Sequence, residues 1–372
     1  MIVQTSPAAE AVAEISAYIH ATTEFERSDR LWPAHFEVFS TNPVGIAFGA
    51  AGVALFLHRA EGEVPPAVLD WIADRLAQLP LAPGLFNGAA GVAYTLAEVG
   101  ETTAAGDLLD RFADAGRQLE DPSFLYGLAG WGWANVADHH RTGRAESLER
   151  AVEAADTLIE RAVRSGEGWS WPADDGKPTT LGLGRGASGV ALLFAALYAT
   201  TLEERYAEAA ERAIRFDLAY ARDFGGNIQW GRTTEDRGTR PYWYEGGAGI
   251  GIGLVRVAEA VGDPSLLDAA RLAEEGTRSL FTVGPSRLQG MAGIGEFSLD
   301  LYHATGDPTY LERAVGIAEG LLCFRVDREE GMTFPSLGLD RLSNDFATGS
   351  AGCGLFLNRL VTGRARGLYD LP

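Results

Sequence analysis

The 372-residue chain is poor in cysteine, with two, and in lysine, with Lys177 alone among 31 basic residues, and it has no uninterrupted apolar run of 18 residues. Cys323 and Cys353 each stand in an apolar helical stretch, which argues against a disulfide framework and fits a reducing compartment. No cysteine spacing of the zinc type occurs. The lack of long apolar runs argues against a membrane-spanning helix, and the first ten residues do not show a basic stretch followed by an apolar one. The expected location is the cytoplasm. A formal net charge of -20 argues against nucleic acid and anionic lipid as partners.

Glycine is abundant, with 46 residues, and much of it is periodic. Seven Gly-x-x-Gly segments begin at Gly49, Gly88, Gly127, Gly186, Gly246, Gly290 and Gly349, at spacings of 39, 39, 59, 60, 44 and 59 residues. Each interval holds one helix pair and a loop of variable length, the signature of a repeat architecture. After each motif comes an apolar stretch, such as GVALFLHRA, closing near Gly62, Gly100, Gly143, Gly262, Gly306 or Gly363. Such a stretch reads as a sheltered helix with a glycine C-cap. Amphipathic stretches follow, the clearest opening on Asp263-Pro264 and Asp307-Pro308, where Asp is the N-cap and Pro the first helical residue.

Counted as outer then inner helix, these make seven pairs with no linker between them. The expected fold is one all-α domain over residues 1–372, an (α/α)7 toroid of two concentric rings. An open superhelix is the competing arrangement. Closure is favoured because the inner stretches lack a continuous polar face and the first repeat lacks the polar outward face of a terminal cap. Aromatic pieces at Gly168, Gly226 and Gly331 are expected to form small hairpins over the mouth.

The paired glycines remove side chains along one helix edge and let the next backbone approach. If all seven inner helices start at one end, their N-termini gather partial positive charge at one mouth, which suits an anion such as a thiolate or enolate. The residues just before each first glycine then become candidates: Phe48, Asn87, Tyr126, Arg185, Glu245, Gln289 and Thr348. Among the six histidines, His35 is the one expected to face this mouth. The His139-His140 pair alone is a weak signal for a metal. Cys353 reads as a small core residue.

With seven such motifs, the chain resembles the lanthionine synthetase C-like family over essentially its whole length. Zinc-dependent members of that family carry Arg-x-x-Trp-Cys-Tyr-Gly in repeat five and Cys-His-Gly in repeat six. Here the corresponding residues are Arg240-Pro241-Tyr242-Trp243-Tyr244-Glu245-Gly246 and Leu288-Gln289-Gly290. Arg240 and Trp243 are kept, while the three ligand positions have become Tyr244, Leu288 and Gln289. Arg185 replaces the family's histidine in repeat four, and Asp121 stands near, though not at, the position of its repeat-three acid. This pattern, with the segment Ser343 to Gly352, is similar to the zinc-free cyclase domains of class III lanthipeptide synthetases.

The resemblance implies a metal-independent Michael addition of peptide cysteine thiols to dehydroalanine or dehydrobutyrine, giving lanthionine or labionin rings and needing no cofactor. It implies a dehydrated, ribosomally made precursor peptide as substrate, with kinase and lyase domains or proteins as partners. A thiol of pKa about 8.5 must be activated by fixed charge or by a base. Arg240 and Arg185 are the candidates for charge and for an oxyanion hole. Glu245 or Asp345 is the candidate base, and Tyr244 the proton donor. Trp243, Gln289, Asn87, Tyr126, His35 and Asp121 are candidate peptide contacts. Two other readings remain: a non-catalytic toroid that holds the precursor or partner enzymes, and an α/α-toroid glycosidase. The latter would use Glu245 and Asp345 as its carboxylates and Trp169, Trp171, Trp230 and Trp243 as a sugar platform.

Overall fold

A computed structural model describes residues 7–365 and 367, apart from residues 167, 174, 175 and 280. The ends of the 1–372 domain and the last two residues of the 168–175 aromatic segment lie outside the described residues.

In chain order the helices are α1 (Pro7–Ala21), the one-turn α2 (Glu37–Ser40), α3 (Ala50–Glu61), α4 (Pro66–Leu76), α5 (Ala89–Glu98), α6 (Thr102–Arg111), α7 (Ala113–Arg117), α8 (Leu128–Thr142) and α9 (Ala145–Arg161). They continue as α10 (Ala187–Thr201), α11 (Glu204–Ala219), α12 (Gly247–Val261), α13 (Pro264–Thr277), α14 (Met291–Thr305), α15 (Pro308–Leu322) and α16 (Ser350–Thr362). All seven inner helices, α3, α5, α8, α10, α12, α14 and α16, have the first glycine of a motif as N-cap. They pack in sequence around a ring, and α16 packs back on α3. The toroid is therefore closed, as the apolar inner stretches require.

Closure is also written in the backbone. Ala47 N–H donates to Phe86 O, Phe86 to Leu125, Leu125 to Gly184, Gly184 to Tyr244, Tyr244 to Leu288, Leu288 to Ala347, and Ala347 back to Ala47, at 2.7 to 3.2 Å. All seven residues stand two places before the first glycine of a motif. A closed circuit of this kind leaves no unpaired peptide edge at the inner-helix entrances.

The second glycine of each motif is required by this circuit. A Cβ at Gly52, Gly91, Gly130, Gly189, Gly249, Gly293 or Gly352 would land on the carbonyl oxygen six residues earlier. The backbone that comes close is thus the repeat's own entry turn, which corrects the expectation that a neighbouring helix does so. Neighbouring repeats touch the same glycines through side chains, such as Leu85 against Gly130 and Trp243 against Gly293.

The helix pairing also differs from the outer-then-inner count. Every inner helix except α3 packs most extensively on the outer helix that follows it, as α8 on α9 and α10 on α11, and α16 packs on α1. Short turns with left-handed Gly62, Gly143, Gly262 and Gly306 join these hairpins, and a short turn brings antiparallel helices together. The first outer helix is therefore the partner of the last inner one.

Longer connections, on the mouth side, carry the three expected sheets. They are β1 (Val163–Ser165) with β2 (Gly168–Ser170), β3 (Arg222–Asp223) with β4 (Ile228–Gln229), and β5 (Val326–Arg328), β6 (Gly331–Pro335) and β7 (Leu342–Ser343) in that order. All pairings are antiparallel.

Inside the ring the inner helices, apolar over most of their length, carry a buried ionic cluster. Glu296 and Asp300 on α14 are buried with Arg359 of α16, with Nη–O distances of 2.6 Å to each. Arg287 bonds Glu296 at 2.8 Å, and Arg256 of α12 bonds Asp300 at 2.8 Å. These guanidinium groups hold both carboxyls below their ordinary range against the opposing effect of burial. Above them, Phe86, Trp243 and Phe346 fill the centre of the ring, with the Arg287 cation over the last two.

Candidate active site

The seven residues preceding the first glycines do surround one mouth. Repeats three to six bring a polar cluster together there. Tyr244 lies with its ring against Gly184, where a Cβ would stand 2.6 Å from the ring carbons, so the glycine is what lets the tyrosine lie flat. Arg185 Nε donates to Tyr244 Oη at 3.1 Å, and its guanidinium sits 4.4 Å from the Tyr126 ring centroid. Its Nη1 reaches Asp121 Oδ2 at 3.5 Å. Asp121 Oδ1 meanwhile accepts from Ser123 N–H at 2.8 Å, which fixes its direction. Tyr126 hydrogen-bonds Tyr244, and burial together with that neighbour pushes the Tyr126 hydroxyl pKa up. One guanidinium therefore faces two phenols and a carboxylate.

Beside this cluster Glu245 is buried, and Gln289 Nε2 donates to its Oε1 at 3.3 Å. Arg232 Nε stands 2.7 Å from Oε2, an ion pair lying off the hydrogen-bond axis. Burial raises the Glu245 carboxyl above its ordinary value, and Arg232 and then Arg240 pull it back. Arg240 itself is half exposed and 4.0 Å from Asp236. Its carbonyl receives the Gly247 N–H at 2.8 Å, at the start of α12. Gly246 has φ of +124°, a backbone state that admits glycine and little else.

Repeats seven and one furnish a different environment. Asp345 is buried, and its two oxygens accept from His35 N–H at 3.0 Å, Thr348 N–H at 2.7 Å, Thr348 Oγ1 and Ser343 Oγ. That carboxylate joins the α1–α3 connection to the entrance of α16. His35 is buried, accepts from Glu37 N–H at 3.4 Å and stacks on Phe48 at 5.6 Å. Asn87 is half-buried, and its carbonyl accepts from Asn42 Nδ2 at 2.8 Å.

Two expectations need correction. Trp243 is 1% exposed in the floor beneath the mouth, so it supports the site from below and presents no surface to a peptide. Of the supposed sugar platform, Trp171 and Trp230 are also buried, and each indole N–H caps an outer helix. Trp171 donates to Leu158 O at 2.8 Å and Trp230 to Asp217 O at 2.7 Å. Trp32 does the same to Ile19 at 2.9 Å. In all three the acceptor lies 13 residues earlier. Trp169 is half-buried under Arg164, whose guanidinium lies 4.8 Å from its ring centroid.

Arg232 was not found from sequence, because it lies in a connection outside the repeat register and only the fold brings it over Glu245. Cys353 is buried with its sulfur 3.4 Å from Pro285 O, and burial drives its thiol pKa up, which fits a core residue.

The residues at the three family ligand positions do not suit a zinc ion. Tyr244 is engaged by a permanently charged guanidinium, which would repel a dication, and Leu288 has no donor atom. Among the described residues no helix is long and apolar enough to cross a membrane.

Fold and site define a closed (α/α)7 toroid with a charged, phenol-lined mouth at the inner-helix N-termini. The family profile described as "Lanthionine synthetase C-like protein" matches residues 40–366, and the chain belongs to that family. It is 30% identical over 364 residues to a protein of Streptomyces coelicolor described as "Probable SapB synthase", covering 96% of this chain and 38% of that one. The chain thus spans well under half the length of that relative. Among solved structures, nisin cyclase superposes with a TM-score of 0.72 at 16% identity, over 95% of this chain and 94% of the other. The Lin0763 protein of Listeria innocua gives 0.56 at 11%, over 96% and 97%. Cellobiose 2-epimerase of Spirochaeta thermophila gives 0.53 at 16%, over 96% of each. These likenesses establish the fold.

Proposed function

We propose that this chain is the cyclisation unit of a lanthipeptide synthetase, adding cysteine thiols of a dehydrated precursor peptide to dehydroalanine or dehydrobutyrine without a metal ion. The observation that carries this reading is the Arg185–Tyr244 pair, which puts a fixed positive charge and a proton donor where zinc-dependent relatives would place a ligand. Kinase and lyase activities that prepare the dehydrated residues belong, in this reading, to further domains or separate proteins.

In the proposed step Glu245, made more basic by burial, takes the thiol proton. The sulfur bonds to Cβ of the dehydro residue as the double-bond electron pair moves toward the adjoining carbonyl, forming an enolate. Arg185 and Arg240 offer guanidinium groups to that oxygen. Tyr244 then gives its phenolic proton to Cα. The phenolate left behind is held by Arg185 and recovers, through water, the proton released at Glu245. Asp345 has no part in this scheme, since its oxygens are already occupied by the donors around it. A glycosidase would need an open aromatic platform, whereas Trp171, Trp230 and Trp243 are buried.

The test incubates the purified protein with a dehydrated precursor and counts remaining thiols by alkylation and mass spectrometry. Thiols should disappear faster than in buffer, in chelator as well as without it, and Arg185→Gln and Tyr244→Phe should each slow the loss roughly 10²-fold or more. Loss at the buffer rate would leave only peptide holding or scaffolding. Dependence on stoichiometric zinc would refute the metal-free step.

A further inference from the structure

Ten of the thirteen large hydrophobic side chains that stand exposed among the described residues lie in or at the mouth-side connections, so the apolar surface is concentrated on one face of the toroid. Six of them form one arc over repeats six, seven and one: Phe281, Val283, Leu337, Leu339, Phe36 and Phe39, between 37% and 60% exposed. Contacts make the arc continuous. Leu339 Cδ2 lies 3.6 Å from where a Cβ would stand on Gly284, which follows Val283. The turn carrying Leu337 and Leu339 closes through Ser336 N–H to Arg341 O at 2.8 Å, and the Arg341 guanidinium lies 5.7 Å from the Phe36 ring centroid. Phe36 packs on His35, and His35 on Phe48, the repeat-one residue at the mouth. The arc therefore runs into the candidate active site.

Within the arc Leu339 has φ of +58°, a left-handed state that costs a non-glycine residue about 1 kcal/mol, and its side chain is 48% exposed. The opposite side of the mouth is polar and charged, with the half-exposed guanidinium groups of Arg185, Arg232 and Arg240 paired with Asp121, Glu245 and Asp236. A surface that is apolar on one side and lined by ion pairs on the other, meeting at a buried carboxyl and a phenol, fits an extended peptide of mixed character.

We infer that the arc from Phe281 to Phe39 is the docking surface for aliphatic and aromatic residues of the substrate peptide, and that it selects peptides with such residues flanking the reacting cysteine. This rests on the cyclase reading for the identity of the occupant. Binding is non-directional and proportional to the apolar area covered, so the arc tolerates different sequences while holding the chain across the mouth.

The experiment measures binding apart from chemistry. One fluorescein-labelled synthetic peptide carries S-methylcysteine flanked by Leu, Ile and Phe. A second has the same length and charge, with those three residues replaced by Ser. The wild-type protein should bind the first at least tenfold more tightly by fluorescence anisotropy. Phe36→Ser with Phe39→Ser, and separately Val283→Ser, should remove most of that preference. Leu339→Gly removes the side chain while relieving the backbone, so it should weaken binding and leave the unfolding transition as sharp and at least as high as in wild type.

Equal affinity for both peptides, or arc variants that keep the preference, would overturn the inference. So would a change of oligomeric state on mutating the arc, since the surface would then join two copies of the chain. If the preference appears but no protein consumes thiols in the assay above, docking stands and the catalytic reading fails.

Discussion

Asp217 offers a sharp test of how the inner ring is held. It lies on outer helix α11, fully buried, and its Oδ2 accepts from Ser188 N–H at 2.9 Å, Ser188 Oγ at 2.5 Å and Gly182 N–H at 3.2 Å. It thereby caps the entrance of inner helix α10 from outside the ring. Its Oδ1 is buried with no partner. Burial pushes the carboxyl from 3.8 up to about 6, more than the hydrogen bonds from Ser188 and Gly182 pull it down. The sign follows from proton binding. Between pH 4 and 6 the folded protein keeps the proton that the unfolded chain has lost, so stability declines with rising pH over that window and is flat above it. About two pKa units at 1.36 kcal/mol each give a decline of about 3 kcal/mol by neutral pH. Asp217→Asn keeps an acceptor for Ser188 and removes the titration. Urea unfolding of the wild type and the variant, followed from pH 4 to 7.5, isolates this group, because every other titration is common to both. The stability difference should shift toward the variant by about 3 kcal/mol across that window and then level off. A difference independent of pH, or one shifting the other way, would show that the hydrogen bonds outweigh burial and would refute the reasoning.

Gly130→Ala should be severely destabilising, by roughly 3 kcal/mol or more, since its Cβ would strike Phe124 O and lie 2.9 Å from Leu85 Cβ, both held by the ring. Gly316→Ala on α15, where the added methyl meets nothing within 4 Å, should instead stabilise by up to about 1 kcal/mol; urea midpoints decide both. Trp230→Phe removes the 2.7 Å bond to Asp217 O and should cost about 1–2 kcal/mol, read from the same transitions. Since burial lifts the Glu245 carboxyl, the cyclisation rate should fall as pH drops through its raised pKa, where the proposed base becomes protonated. Glu245→Gln should flatten that limb of the pH–rate profile and lower the rate about 10²-fold.

Features fixed by local chemistry were legible in the sequence. Each inner helix starts at a glycine that sits where its own entry turn passes, and several end at a glycine in the left-handed state. Asp263 and Asp307 cap their helices by accepting from Ser265 and Thr309 N–H, as the Asp-Pro pairs suggested. Features depending on which helix meets which were not. Order along the chain does not say whether an inner helix pairs with the outer helix before it or after it; the short glycine turn settles it in favour of the latter. Glu296, Asp300, Arg256 and Arg359 each looked like an isolated charge in an apolar stretch. Only ring closure, which sets α16 beside α14, supplies their partners, and such groups are tolerable in a core only when paired. The tryptophans are a case where the signal was present and was read for the wrong chemistry. The 13-residue interval from Ile19 to Trp32, Leu158 to Trp171 and Asp217 to Trp230 marks a donor returning to the end of the preceding helix. Within the candidate site the same division holds. Arg185, Glu245 and Gln289 were found because they occupy equivalent places in repeats that converge on one mouth, and Tyr244 because the family resemblance marks its position, whereas Arg232 comes from a loop with no repeat equivalent. The residue closest to the proposed base's charge was therefore the one that periodicity could not reveal.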